Sequence, residues 1–224
     1  MNNIKKLLCT LVAITFMATP AFSDAGNAGG FYVGVSGSAA GAELDGQYTD
    51  NEGNITKGTG GAVGSVGAFD LGYNWAMGSS LILGFGASYT PGDLDIGKAD
   101  DSADAADVTI TADKFITYYL KPAIMVSDNT AFFAKFGNAT ADLQIAGDVA
   151  GTKSNELKGD TVSFGSATYF DGGMYVESEV GITDYDQIHA NDVGNADTGG
   201  NGVTGDSIAD PSIAFGTITI GFKF

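Results

Sequence analysis

The chain has 224 residues, of which 44% are hydrophobic and 17% charged, and its formal net charge is −17. This hydrophobic content excludes a disordered acidic chain, which would lack the side chains for a core. All ten basic residues are Lys, and 27 acidic residues outnumber them. A nucleic-acid partner is therefore excluded, because phosphate binding needs clustered basic groups. The single Cys excludes a disulfide framework and a zinc site built on cysteines.

Residues 1–23 have the organisation of a secretory signal peptide. Lys5 and Lys6 precede the apolar run 7–18, and a small-residue pattern ends at Ser23. The apolar run is shorter than the roughly 20 residues that a transmembrane helix needs. We therefore expect cleavage after Ser23, which leaves residues 24–224 as a single domain. Because exported eukaryotic domains of this size usually contain disulfides, a bacterial envelope protein is favoured.

The rest of the chain alternates between apolar and polar or small residues with a period of two, which is typical of β-strands. No segment has the 18 consecutive apolar residues of a membrane-spanning helix. The predicted strands are a first one that includes Phe31 to Ser36, then 68–76, 81–90, 108–124, 130–146, 161–170, 174–185 and 214–224. One face of 108–124 is predicted to run unbroken from Val108 to Ile124. A change of apolar parity near Gly137 and Asn138 predicts a bulge in 130–146.

The connectors between these eight strands alternate strictly between two lengths. The short ones are 77–80, 127–129 and 171–173, and the long ones are about 44–60, 92–107, 147–160 and 186–207. In an antiparallel meander, this order places every short turn and both termini at one end. Short periplasmic turns and long outer loops are typical of outer-membrane barrels, whose closure leaves no unpaired edge in lipid. We therefore predict an all-β fold, an eight-stranded antiparallel up-and-down transmembrane β-barrel.

Aromatic pairs beside the three short turns fit the same fold. The pairs are Tyr73 and Trp75, Phe132 and Phe133, and Tyr169 and Phe170. Aromatic residues at one height form the interfacial girdle of a membrane barrel. The alternative is the ordinary enrichment of aromatic residues in strands.

Both ends of the exported chain resemble those of a known family. The segment 30–34 is an aromatic-rich first strand, 175–185 is similar to a penultimate strand, and 216–224 is an alternating strand that ends on Phe224. Together they resemble the small outer-membrane barrels of the opacity-protein and OmpA/OmpX type. The resemblance implies residence in the bacterial outer membrane and contact with its lipid and lipopolysaccharide. It also implies that Ile220, Phe222 and Phe224 are presented to the barrel assembly machinery.

The interior of an eight-stranded barrel is just wide enough to be filled by side chains. The polar residues predicted to face inward are Asp70, Asn74, Asp113, Lys121, Lys135, Glu177, Glu179 and Lys223. Buried charges persist only when they are paired. Lys121 and Lys135 are therefore predicted to pair with Asp70, Glu177 or Glu179 in a network that plugs the lumen. The alternative is that these carboxylates line the path of a narrow, porin-like, cation-preferring channel.

Neither catalysis nor a cofactor is predicted. His189, the only His, lies in an acidic connector beside Asp184, Asp186 and Asp192, and no hydrolase or metalloprotease motif occurs. The acidic runs 100–107 and 191–197 lack the spacing of a calcium-binding loop. We therefore expect a protein that is not an enzyme, with no catalytic residue, no cofactor and no specific metal site.

Most of the acidity falls between the strands. The windows 43–60, 92–107, 147–160 and 184–210 hold 19 of the 27 acidic residues. This distribution predicts a neutral wall with an acidic outer rim, suited to solubility or to contact with cations and cationic surface partners. A structural or surface-contact role is the predicted function. A secreted acidic β-sandwich adhesin is the alternative outside the membrane, because its strands would alternate as well.

Overall fold

The computed structural model describes residues 25–49, 54–99, 108–146, 153–191 and 206–224. Their elements are a 3-10 helix at Ala25–Ala28 and the strands β1 (Gly30–Thr49), β2 (Ile55–Met77), β3 (Leu81–Thr90), β4 (Leu94–Ala99), β5 (Val108–Met125), β6 (Thr130–Ala146), β7 (Lys153–Tyr169), β8 (Met174–Tyr185), β9 (Ile188–Asn191) and β10 (Asp206–Lys223). Within these ranges, no helix is long and apolar enough to cross a membrane.

The strands close into a barrel in which all pairings are antiparallel. The closing pair is β10 with β1, in register from Tyr32 opposite Lys223 to Thr49 opposite Asp206. Strand β4 follows β3 along the chain and pairs with β5, and β9 follows β8 and pairs with β10. The ten segments therefore make eight barrel strands, which confirms the predicted fold. The closed wall also excludes the two-sheet sandwich.

All three short turns lie at the same end of the barrel as both ends of the described chain. The amide of Ala25 donates to the carbonyl of Ser79 at 2.7 Å, and the amide of Lys223 donates to the carbonyl of Gly173 at 2.8 Å. Gly173 has a φ of 89°, in the left-handed region that glycine adopts most easily. The predicted arrangement of the turns and termini is therefore confirmed.

We call the end of the barrel opposite the short turns the outer end. The barrel wall extends further toward this end than the sequence predicts. Segments 44–49 and 55–60, predicted as connector, belong to β1 and β2, and 94–99, 153–160 and 188–191 also form strands. These segments are rich in Gly, Thr and charged residues, so they show no apolar alternation, although their backbones pair across the wall. The predicted connector centres, 50–53, 100–107, 147–152 and 192–205, lie outside the described residues.

The predicted bulge in β6 is wrong, and an irregularity lies on β5 instead. Strand β6 pairs with β7 without a break from Thr130 to Ile145. Against β6, the register of β5 shifts between Asp113 and Ile116, and Lys114 there has a φ of 52°. The shift reverses the alternation, so Ala112 is buried whereas Tyr118 is exposed. The unbroken face predicted for 108–124 is therefore also wrong.

The parity change in β6 marks the edge of the lipid-facing band. Phe132 and Asn138 both face outward and are exposed, whereas Phe133 and Leu143 face inward and are buried. The two faces therefore continue unchanged along the strand. The outer face of β6 is apolar only near the turns, because its side chains pass from lipid to water toward the outer end. The inner face carries apolar residues in both halves of the strand.

Candidate functional site in the barrel lumen

The outside of the barrel carries a wide band of exposed apolar side chains. Its members include Phe31, Val33, Val35, Phe69, Leu71, Trp75, Phe85, Tyr118, Leu120, Phe132, Phe164, Val180, Ile218, Ile220 and Phe222. An exposed apolar surface that encircles a protein is stable against lipid and unstable in water. The band therefore identifies a bilayer as the environment of the barrel wall.

The predicted aromatic girdle is correct for only part of its members. Trp75, Phe132 and Phe170 are exposed on the outside of the barrel near the turns. Phe133 and Tyr169 are 4% exposed and lie inside the lumen. Consecutive residues of a strand point to opposite faces, so two adjacent aromatic residues cannot both belong to the girdle.

An apolar layer lies in the lumen at the end that carries the short turns. It consists of buried side chains from the strands and from the 3-10 helix: Ala25, Ala28, Tyr32, Ile82, Ala123, Met125, Ala131, Phe133, Ala167, Tyr169 and Tyr175. We call this set the apolar plug. The 3-10 helix is held in the lumen mouth by the side-chain amide of Asn74, which donates to the carbonyl of Ala28 at 3.1 Å.

Directly above the apolar plug, buried ion pairs cross the lumen. The ammonium of Lys121 on β5 lies 3.0 Å from a carboxylate oxygen of Glu177 on β8. The ammonium of Lys135 on β6 lies 2.7 Å from the other oxygen of Glu177 and also pairs with Glu179. The side chains of these four residues are at most 9% exposed. We call them the lumen ion pairs.

Aromatic rings and a hydroxyl complete the surroundings of these charges. The Lys121 ammonium lies 4.5 Å from the ring centroid of Tyr32, and the Lys135 ammonium lies 4.9 Å from that of Tyr119. Cations are attracted to the faces of such rings. The hydroxyl of Ser163 donates to Glu179, and the hydroxyls of Tyr32 and Tyr119 are 2.9 Å apart. The charges are thus held in fixed positions by hydrogen-bonded and ring contacts.

Asp70 on β2 stands apart from the lumen ion pairs. It is 9% exposed, and the hydroxyl of Ser36 donates to its carboxylate at 3.2 Å. Among the described residues, no ammonium lies within ion-pair distance of Asp70. The buried charged side chains of the described lumen are therefore three carboxylates and two ammonium groups.

A cavity of about 130 Å³ lies on the outer side of these charges. Asp70, Lys135 and Glu179 line its inner end, and hydroxyl groups of Ser and Thr line its walls. Its outer end is apolar and is lined by Leu94, Phe115, Tyr185, Ile213 and Phe215. The cavity therefore combines a charged floor with an apolar collar.

Neither a protein-family model nor a curated protein sequence matches the chain. Several solved structures have similar folds. The outer membrane protein OprG from Pseudomonas aeruginosa is 14% identical, with a TM-score of 0.53 over 88% of this chain and 97% of that one. The attachment invasion locus protein Ail of Yersinia pestis is 9% identical, with a TM-score of 0.45 over 84% and 98%. The outer membrane protease OmpT from Escherichia coli is 11% identical, with a TM-score of 0.49 over 92% and 99%.

The chain has the fold of a small outer-membrane β-barrel. The identities are low, so the comparison with OprG establishes the fold alone. In this outer-membrane barrel, the apolar band lies in the bilayer and the short turns lie on the periplasmic side, as in other barrels of the class.

The barrel places the predicted site residues as follows. It brings Lys121, Lys135, Glu177 and Glu179 into contact, and it places Asp70 in the same lumen without an ion pair. Asn74 is buried in the lumen, as predicted from its parity. The inward position predicted for Asp113 is wrong. The register shift at Lys114 exchanges the two faces of β5, so Asp113 lies opposite the outward-facing row of β6 and accepts a hydrogen bond from the side chain of Gln144.

The remaining predicted positions lie in the last strands. Ile220, Phe222 and Phe224 form an outward-facing row on β10 and beyond its end, and each is at least half exposed. Lys223 lies opposite Tyr32 at the periplasmic end. The backbone of His189 lies in β9, opposite Ile208. Among the described residues, no group of three or more His, Cys, Asp or Glu side chains is arranged to hold a metal ion.

Sequence reasoning missed several contributors to the lumen. Tyr32 and Tyr119 place their rings over the ammonium groups, and Ser163 bonds to Glu179. Their positions along the strands could have predicted an inward orientation, because Tyr119 lies two residues before Lys121 and therefore on the same face. The 3-10 helix at Ala25–Ala28 carried no comparable signal, since four residues are too few for a helical pattern.

Proposed function

We propose that this outer-membrane barrel has a structural and surface-contact role and that its lumen is plugged. The observation that carries the proposal is the set of lumen ion pairs, in which Glu177 joins the ammonium groups of Lys121 and Lys135 across the interior. Separating buried, paired charges leaves each of them without compensation, which is costly. An ion passing through the lumen would have to disrupt these contacts.

The apolar plug supports the same proposal independently. It lies in series with the lumen ion pairs, on the periplasmic side, and Ala25, Ala28 and Met125 in it are fully buried. A permeating hydrated ion would lose most of its water contacts there and would meet few polar groups, chiefly the hydroxyls of Tyr32, Tyr169 and Tyr175. Two barriers of different chemistry thus stand between the outer cavity and the periplasmic mouth.

Planar-bilayer recording tests the plugged lumen. The purified barrel is expected to insert without producing steady openings, while its shift in mobility between heated and unheated gel samples verifies that it is folded. A matched variant, Lys121→Ala combined with Phe133→Ala, removes side chains from both barriers and is expected to increase the leak. Steady cation-selective openings of the unmodified protein would instead favour the narrow channel.

The narrow, cation-preferring channel remains the second candidate because of one feature. Asp70 and Glu179 line a cavity on the outer side of the lumen, and both carry carboxylates. A cation entering from outside would meet negative charge before it reached Lys135. The cavity ends at the lumen ion pairs, so this feature supports entry from the outer side more than passage.

The surface-contact role rests on the acidic outer end. Described acidic residues there include Glu43, Asp45, Glu156, Asp160, Asp186 and Asp210. Such a rim would attract cations or cationic partners and would meet lipopolysaccharide through bridging cations, since direct contact between like charges is unfavourable. No catalytic role is included in the proposal.

We further propose that residues 1–23 direct export, that residues 24–224 form the barrel domain, and that the outward row Ile220, Phe222 and Phe224 is presented to the assembly machinery. Phe224 is 79% exposed, so its ring contributes little to packing within the barrel. Its backbone amide donates to the carbonyl of Phe31, a contact that does not depend on the side chain.

Phe224→Ala is therefore expected to reduce the amount of folded protein in the outer membrane severalfold in cells and to leave refolding into detergent unchanged. Phe31→Ala is the matched control, because Phe31 is another exposed aromatic at the same end. Quantitative immunoblots of heated and unheated membrane samples measure the folded fraction. Equal losses for the two variants would contradict a specific role of the terminal residue.

A further inference from the structure

The outer cavity contains a carboxylate whose charge is not balanced by its surroundings. Asp70 is buried at the cavity floor, and Ser36 is the one hydrogen-bond donor that the described structure gives to its side chain. An ionised carboxylate can accept about four hydrogen bonds, so most of its capacity is unused. A buried, unpaired carboxyl group is neutralised either by a proton or by a cation that joins it.

Lys135, which also lines the cavity, forms no ion pair with Asp70. Its ammonium already pairs with Glu177 and Glu179, and it lies over the ring of Tyr119. Three carboxylates therefore share two ammonium groups in the described lumen. The unbalanced negative charge is located at Asp70, on the side of the cavity formed by β2.

The rest of the cavity restricts which cation would fit. Hydroxyl groups of Ser38 and Thr217 line the wall, and they hydrogen bond to each other at 2.7 Å. Toward the outer end, Phe115, Ile213 and Phe215 form an apolar collar. The described residues provide no group of three or more His, Cys, Asp or Glu side chains arranged to hold a metal ion.

We propose that this cavity binds a small organic monocation, a primary ammonium group on a short apolar body. The ammonium donates to the carboxylate of Asp70, and the apolar body lies against Phe115, Ile213 and Phe215. The volume of about 130 Å³ is close to that of the roughly 150 Å³ cavity that holds a benzene molecule. Bound ligand would compensate the charge of Asp70 without disturbing the lumen ion pairs.

This inference goes beyond the plugged lumen, because binding in the cavity requires no passage through the barrel. The experiment uses the full barrel, isotope-labelled in detergent micelles, and follows its NMR spectrum during titration with benzylammonium. Benzyl alcohol, which has nearly the same shape and no charge, is titrated in parallel. Saturable shifts at Ser36, Thr217 and Phe215 with benzylammonium, and weaker binding of benzyl alcohol, are expected.

Asp70→Asn is expected to weaken benzylammonium binding about tenfold or more, because it removes a charge-assisted hydrogen bond. Asp171→Asn, in an exposed periplasmic turn, is the matched control and is expected to change nothing. Ser88→Leu fills the cavity from the position opposite Asp70 on β3 and is expected to abolish binding of both probes.

The inference is overturned if benzylammonium causes no saturable shift at the cavity, or if Asp70→Asn leaves its affinity unchanged. If Asp70→Asn does not fold, the Ser88→Leu variant and the preference for the charged probe decide: retained binding or equal affinity for the two probes overturns the inference. Conductance is recorded in a separate experiment. Steady openings would contradict the plugged lumen, whereas absence of benzylammonium binding would contradict the present inference.

Discussion

Lys135→Met is expected to lower the free energy of unfolding by about 3–5 kcal/mol, because it removes one partner of a buried, multiply paired set of charges. Lys135 joins Glu177 and Glu179, so its loss leaves Glu179 without an ion-pair partner. Glu177 keeps Lys121. Methionine preserves most of the volume, so the loss reports on charge more than on packing. Urea unfolding in phospholipid vesicles, followed by the fluorescence of Trp75, the single Trp, measures the change.

Two comparisons separate the buried charge from other causes. Lys158→Met removes an exposed Lys whose ammonium is 3.1 Å from Glu156, and little change is expected because exposed pairs contribute little. Lys135→Met combined with Glu179→Gln removes a positive and a negative group together, and it is expected to recover part of the lost stability. A loss for Lys135→Met no larger than that for Lys158→Met would show that the lumen ion pairs do not hold the barrel interior.

Lys121→Met offers a graded test within the same set. Lys121 pairs with Glu177 alone, and Glu177 retains Lys135 after the substitution. Its expected loss is therefore smaller than that of Lys135→Met, although both ammonium groups are buried and lie over aromatic rings. The larger loss of stability is expected for Lys135→Met, because Lys135 pairs with two carboxylates and Lys121 with one.

The candidate members of this charge set were predictable from the sequence, whereas the choice among the three candidate carboxylates was not. Period-two alternation places Glu177 and Glu179 on one face of β8, and the width of an eight-stranded barrel requires buried charges to be paired. The choice of partner depends on the stagger between strands that do not pair directly, since β7 lies between β6 and β8. That stagger is fixed by the whole register, so Asp70 could not be separated in advance from the paired carboxylates.

The errors in the strands have a common physical cause. Apolar alternation reports on lipid and core contacts, so it disappears where the wall continues into water, as in 153–160 of β7. In β6, the same alternation changes parity where the outward face leaves the lipid near Asn138, and this change resembles a bulge. The real irregularity at Lys114 carries no Gly to indicate its positive φ.

Phe133→Ala is expected to lower the free energy of unfolding by about 3–5 kcal/mol, the usual cost of truncating a buried aromatic residue. The Phe133 ring lies in the apolar plug and reaches the charges above it, since the ammonium groups of Lys121 and Lys135 are 5.5 and 5.3 Å from its centroid. Gly165 leaves room for the ring edge, because a Cβ there would lie 2.6 Å from it. Truncation therefore leaves a void at the junction of the two barriers.

Phe132→Ala provides the matched control, because this neighbouring Phe points to the opposite face and is 46% exposed to lipid. The lost ring is replaced there by mobile lipid chains, whereas no neighbour inside the close-packed lumen can fill the space left by Phe133. A much smaller loss is therefore expected for Phe132→Ala in the same vesicle unfolding experiment. Equal losses would mean that the two faces of β6 contribute alike, which contradicts a packed interior beneath the lumen ion pairs.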